Sequence, residues 1–297
     1  MNALTPMPAL QKQSLAKAAR SDRSAVRVLD ESDTQAALDY LSTRPISTVI
    51  MAGWIHERGI LSEANRGTFY GYFDKAGRLD GVALIGRSTL FETQNERALQ
   101  EFAELAKTCE TVRMVMGEKE KMEVMLHHFA RSNRKPRLVY HDLLYEFNGT
   151  TNPAQGVAGL RTATRENLDQ VVAVHAQMVF AVTGVNPLEE DADGFRERCG
   201  RRIDQNKIWV LIRNGELIFK ADILAETAAA FYLEGLWVNP AERNKGYGSL
   251  CFAELSANLL AKKKSLCAFI DDSDERAKRF YSRSGASFHG LFAKVYL

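Results

Sequence analysis

Apolar and polar positions recur along this chain in two successive series of the same order. The first opens at Val26 with a strand-like run (VRVL) and continues through two stretches of helical spacing, TQAALDYLS and ISTVIMAGWIHERG. Three runs of strand character follow, TFYGYF, LDGVALIG and STLFET, with a hairpin at Asp74 to Gly77 between the first two. A helix (ERALQEFAELAKT), a strand (TVRMVMG), a helix (KEKMEVMLHHFAR) and a strand (RLVYHDLLYEF) complete the series. The segment NGTTNPAQGVAG gathers Gly, Thr, Asn and Pro as a linker does. The order then begins again. GLRTAT is a short strand, Arg165 to Phe180 and Asp193 to Asp204 are helices, and IWVLIRNGELIFKADIL is a hairpin turning at Asn214-Gly215. The strand AAAFYLEGLWVNP, a helix from Gly248 to Ala261, the strand SLCAFI, the helix ERAKRFYSRS and the strand FHGLFAKVYL close the chain.

The repeated β-α-α-β-β-β-α-β-α-β order predicts an α/β (mixed α+β) protein in which one fold occurs twice in tandem. Residues 1–25 are expected to be a flexible arm, 26–148 the first domain, 149–158 the linker and 159–297 the second domain. The length of 297 residues accommodates two domains, and 45% hydrophobic with 26% charged residues is the composition of an ordinary folded protein.

Charge changes this picture little. Lys plus Arg number 39 against 37 Asp plus Glu, so no basic excess points to a nucleic-acid partner. Cys109, Cys199, Cys251 and Cys267 lack the C-x-x-C spacing of a zinc or redox site and the density of a disulfide scaffold, which predicts reduced thiols and a cytoplasmic location. No apolar run reaches the roughly 20 residues that span a bilayer, so no membrane association is expected. His127 and His128 are adjacent on a helix and point apart, so no metal site is expected.

The chemistry concentrates in LEGLWVNPAERNKGYGSLCFAELSANLL. A strand ends at Val238, Asn239-Pro240 stops it, and Arg243-Asn244-Lys245-Gly246-Tyr247-Gly248 opens a long helix with apolar residues at Leu250, Leu255, Leu259 and Leu260. Unpaired amides at a helix start, the positive end of the helix dipole and glycines that admit a close approach together make an anion site. The spacing is neither that of a P-loop nor that of a dinucleotide fingerprint.

These residues resemble a known pattern. Val238-x-Pro240-x-x-Arg243-x-Lys245-Gly246-Tyr247-Gly248 is similar to the V-x-P-x-x-R-x-x-G-x-G signature of the GNAT superfamily of N-acetyltransferases. Downstream, Asp274-Glu275-Arg276-Ala277-Lys278-Arg279-Phe280-Tyr281-x-x-x-Gly285 resembles that family's N-x-x-A-x-x-x-Y-x-x-x-G-F, with Asp274 for the usual Asn and Ala286 for the usual Phe. The likeness covers about Leu160 to Leu297 and extends to the tandem subgroup with a degenerate leading copy. It implies two GNAT-like domains, each a twisted, mostly antiparallel sheet with helices on both faces.

The resemblance further implies acetyl-CoA as cosubstrate, transferred without a metal to an amine, either a small molecule or a protein lysine. The backbone of Leu236, Trp237 and Val238 would hold the pantetheine arm and the acyl carbonyl, Asn244 to Ser249 (Asn244, Lys245, Gly246, Tyr247, Gly248, Ser249) with Arg243 would hold the pyrophosphate, and Asp274 would meet the pantetheine. Tyr281 would sit beside the sulfur as general acid. A proton acceptor for the amine is expected on the strand itself: period-two alternation puts Tyr232, Glu234, Leu236 and Val238 on one face, which makes Glu234 the candidate and Asp222 on the neighbouring strand its substitute. Glu189, Glu190, Asp191 and Asp193, in what reads as a loop, would favour a cationic acceptor. The alternative is a noncatalytic acyl-CoA-binding sensor or scaffold. In the leading copy, the corresponding turn Thr93 to Ala98 has no glycine, and Glu92 and Glu96 bring negative charge to the helix start, so no coenzyme is expected there.

Overall fold

The structure, a computed structural model, describes residues 25–130, 134–148, 157–262 and 264–297. The expected arm, apart from Ala25, and all of the expected linker but its last two residues lie outside them. The chain separates into two compact units: the first takes residues up to Thr43, Trp54–Arg137 and Tyr296–Leu297, the second Arg44–Gly53 and Leu138–Val295.

In the first unit the sheet follows the order β1 (Val26–Val28), β2 (Gly67–Phe73), β3 (Leu79–Gly86), β4 (Ser88–Thr93), β5 (Met114–Glu118), antiparallel except for the parallel pair β4/β5. Its helices are α1 (Thr34–Ser42), α3 (Glu96–Thr108) and α4 (Lys119–Ala130), and α2 (Val49–Arg58) begins within the second unit's share of the chain. The expected elements therefore all form. Helix α3 buries Leu99, Phe102, Ala103 and Ala106, residues spaced at three and four as an amphipathic helix requires.

The second unit repeats the plan with β7 (Leu160–Thr162), α5 (Leu168–Thr183), α6 (Pro187–Asp204), β8 (Ile208–Arg213), β9 (Glu216–Glu226), β10 (Ala230–Val238), α7 (Tyr247–Leu260), β11 (Ser265–Asp271), α8 (Glu275–Arg283) and β12 (Ser287–Tyr296). The β8/β9 hairpin turns at Asn214 and Gly215, both with positive φ (51° and 80°), as the Asn-Gly pair dictates. Two cores flank the sheet. Phe252, Leu255 and Leu259 of α7 pack on Phe219, Ile223, Phe231 and Leu233, whereas Val171, Phe195, Cys199 and Ile203 of α5 and α6 pack with Val210 and Leu217. Leu250, expected on the apolar face of α7, is exposed, and Cys251, Phe252 and Ser256 complete the buried face instead.

One strand changes sides. The run RLVYHDLLYEF, assigned by chain order to the first domain, forms β6 (Leu138–Phe147) and belongs to the second unit, whose sheet order is β12-β6-β11-β10-β9-β8-β7. It pairs antiparallel with β11 from Phe147–Leu266 to Asp142–Asp271. The edge of β11 away from β10 needs hydrogen-bond partners, and Phe147 fills the α7 core, its ring 5.1 Å from that of Phe252.

Candidate functional site

The parallel strands β10 and β11 are paired only from Ala230–Ser265 to Tyr232–Cys267 and then diverge. From Leu233 onward, β10 keeps β9 on one edge and presents its other edge to the gap. A cavity of about 870 Å³ opens there, lined by both strands, by the starts of α7 and α8, and by residues of α5, β6 and β12.

One wall is the corner between β10 and α7. Asn239 caps the turn Pro240–Glu242 through its bond from the Ala241 amide, and Arg243 Nε donates to the Val238 carbonyl at 3.1 Å, fixing the corner to the strand. Asn244 and Gly246 then take positive φ (63° and 89°), and no side chain caps α7. The amides of its first turn are therefore orphaned toward the cavity side of the corner. A Cβ at Gly246 would meet only Leu250, at 4.0 Å, so the space over these amides is open, while one at Gly248 would press within 3.3 Å of Val238 Cγ2. Lys245, one of the residues expected to hold the pyrophosphate, is paired with Glu242 at 2.9 Å. Open donors, the dipole and Arg243 fit the pyrophosphate of a coenzyme A.

Opposite, Asp274 caps α8 by accepting from the Arg276 and Ala277 amides at 3.0 and 2.9 Å, so its residue type serves its own helix. Tyr281 lies among Phe147, Phe252 and Phe280 and reaches the cavity wall. Burial, with the Asp274 carboxylate adding to it, holds its phenol above the ordinary 10.0, in the protonated form.

The alternation expected along β10 is broken. Gly235 adopts φ 62° and the register with β9 shifts between Glu234 and Trp237, an inserted residue that turns the following side chains over. Leu236 and Val238 consequently pack on the α7 core with Leu233, and Trp237 joins the α5/α6 core on the side of Glu234. The glycine inside a strand was the available signal for this. Glu234 faces the cavity, with its side chain about one-third exposed and the Arg202 Nη1 at 3.6 Å.

Asp222 is the Cα partner of Glu234 on β9 but is fully buried and does not line the cavity. Its Oδ2 pairs with the buried Lys220 Nζ at 2.7 Å, with Arg202 Nη1 and His175 Nδ1 at 3.5 and 3.6 Å. Burial disfavours the carboxylate, yet these neighbours, Lys220 foremost, hold it below its ordinary 3.8. An inaccessible carboxylate in a buried ion pair does not reach a substrate amine. Lys220 and His175 escaped sequence reasoning because a lone Lys or His carries no sign of burial.

The acidic segment also differs from expectation. Asn186 accepts from the Leu188 amide and Pro187 begins α6, so Glu189 and Glu190 lie in a first turn that is set off from the rest of the helix by a kink at Asp191 (φ −160°, ψ 74°). Asp191 accepts from the Gly194 amide and pairs with Arg198 at 3.0 Å, and none of these acids, nor Asp193, lines the cavity.

The profile of the acetyltransferase (GNAT) family matches residues 178–286. Residues 178–286 thus match a GNAT-family acetyltransferase domain. Solved structures show the same fold over most of the chain. A GNAT-family acetyltransferase from Colwellia psychrerythraea is 12% identical, with a TM-score of 0.54 over 92% of this chain and 99% of its own. A Drosophila protein is 15% identical, with a TM-score of 0.65 over 93% and 99%. A tandem GNAT protein from the clavulanic acid biosynthesis pathway is 12% identical, with a TM-score of 0.56 over 91% and 98%. At such identities the likeness is one of fold, a GNAT fold present twice in tandem. No curated protein matches the chain. Among the described residues no group of His, Cys, Asp and Glu could hold a metal ion, and no helix is long and apolar enough to cross a membrane.

Proposed function

We propose that the second unit is an acyl-CoA-dependent N-acetyltransferase acting on a primary amine. The observation that carries this reading is the gap between β10 and β11, into which an uncapped helix start, a carboxylate and a buried phenol all open.

Acetyl-CoA would supply a thioester, whose acyl carbon forms a bond to the amine nitrogen as its bond to sulfur breaks. The amides of Asn244 to Ser249 and the Arg243 guanidinium would hold the pyrophosphate, and the backbone of β10 at Leu236, Trp237 and Val238 would pair with the pantetheine arm and hold the acyl carbonyl. Donors fixed in a strand need no reorganisation as negative charge grows on its oxygen. Glu234 would accept the proton that the amine loses, and Tyr281, kept protonated by its surroundings, would give one to the departing sulfur. Asp274 would border the pantetheine while capping its own helix.

Acetyl-CoA incubated with a panel of primary amines should release free thiol in step with amide formation. Coenzyme binding without thiol release, for every amine, would replace this reading with a noncatalytic acyl-CoA-binding module.

A further inference from the structure

We propose that Arg202 is a positioning residue for Glu234, holding it by sharing one guanidinium between the two carboxylates that face one another across β9 and β10. The inference rests on the reading of Glu234 as proton acceptor.

The anchor is the Asp222 Oδ2 oxygen. Lys220, with no exposed surface, holds it at 2.7 Å, and Gly235 passes over the pair, where a Cβ would come within 3.1 Å of the same oxygen and 3.3 Å of Lys220 Nζ. The bulge of β10 therefore lies over a buried ion pair, and a side chain at 235 would press on it and be strained at φ 62°. Arg202 Nη1 reaches this fixed oxygen at 3.5 Å and Glu234 Oε1 at 3.6 Å. A single nitrogen thus lies within ion-pair distance of both the carboxylate at the cavity and the buried one.

Charge counting separates the two pairs. Lys220 neutralises Asp222 by itself, so removing Arg202 leaves no uncompensated buried charge and the fold should tolerate the change. Glu234 has no other cation within ion-pair distance among the described residues. Its carboxylate would then swing among rotamers, and misplacement of a reacting group by about 1 Å can cost on the order of a hundredfold in rate.

The test uses the full chain with Arg202→Gln, Arg202→Lys, Glu234→Gln and the double variant Arg202→Gln/Glu234→Gln. With acetyl-CoA and the best amine, Arg202→Gln should lower kcat roughly ten- to hundredfold while KM for acetyl-CoA stays within about twofold, and Arg202→Lys should recover part of the loss. In the Glu234→Gln background, the Arg202→Gln change should cost nothing further, because the two act as one unit. Wild-type kcat in Arg202→Gln, or losses that multiply in the double variant, would overturn the assignment. If the wild-type chain turns over no amine, the enzymatic reading fails by itself, and a thermal double-mutant cycle decides the link: coupling between positions 202 and 234 supports it, and additive effects overturn it.

Discussion

The ring of Phe91 fills the space that a side chain at position 117 would need: a Cβ on Gly117 would lie 2.4 Å from Phe91 Cζ. In the first unit, β4 and β5 are paired from Ser88–Met114 to Leu90–Met116, as β10 and β11 are in the second, but here an aromatic ring occupies the place beyond the last pair. Two residues past that pair stands Glu92, the counterpart of Glu234, buried and paired with Lys121 at 2.9 Å. Asn95 accepts from the Arg97 and Ala98 amides, so the helix start that would meet a phosphate is capped from within. We expect one coenzyme A per chain, measured by calorimetric titration with desulfo-CoA; a stoichiometry of two would refute it.

Gly246→Asp should weaken acetyl-CoA binding by about tenfold or more. The substitution sets a carboxylate over the orphaned amides of α7 and forces a side chain into a backbone with φ 89°. Loss of one hydrogen bond to a charged group, about 1.5–3 kcal/mol, already corresponds to that factor. Unchanged affinity by calorimetry would move the pyrophosphate elsewhere.

Tyr281→Phe should reduce turnover by roughly ten- to ten-thousand-fold, the span of general acid catalysis, with coenzyme affinity nearly constant. Because the phenol is held above its ordinary 10.0, it remains a proton donor below that pH, and the wild-type rate should show no alkaline limb from this residue between pH 7 and 10. A Phe variant of full activity would leave the tyrosine as a packing residue.

Acid should destabilise the second unit through His175. Burial foremost, then Lys220 and the nearby Arg202 and Arg198 against the favourable Asp222, depress its imidazole from 6.5 to about 3. Between those values the unfolded chain binds the proton and the folded one does not, so stability falls as pH drops below 6.5. At pH 5 the loss is about 2 kcal/mol, at roughly 1.4 kcal/mol per pH unit. Melting temperatures of wild type and His175→Gln between pH 7 and 5 test this, since the variant should lose less over the same interval.

Much of this was legible in the chain. The glycines after Val238 announced the uncapped helix start beside the cavity, because a backbone open to an anion needs those residue types in that order. Strand membership was not legible: nothing local to Leu138–Phe147 says which sheet will take it, since any edge offers the same backbone groups. The face assignment along β10 failed at Gly235, where one inserted residue reverses every later side chain. Asp222 and the acids around Asp191 looked available because a sequence displays charges without their partners.

The strand β6 makes the halves of this protein unequal in what they can lose. A fragment cut between residues 148 and 157 would leave the sheet of the second unit with β11 bare on one edge and a hole where Phe147 meets Phe252 and Tyr281. Separating the halves at that point would therefore cost the second unit one of its own strands. The second unit is in this sense finished from the chain that precedes it: its sheet closes with a strand that chain order alone would give to the first half.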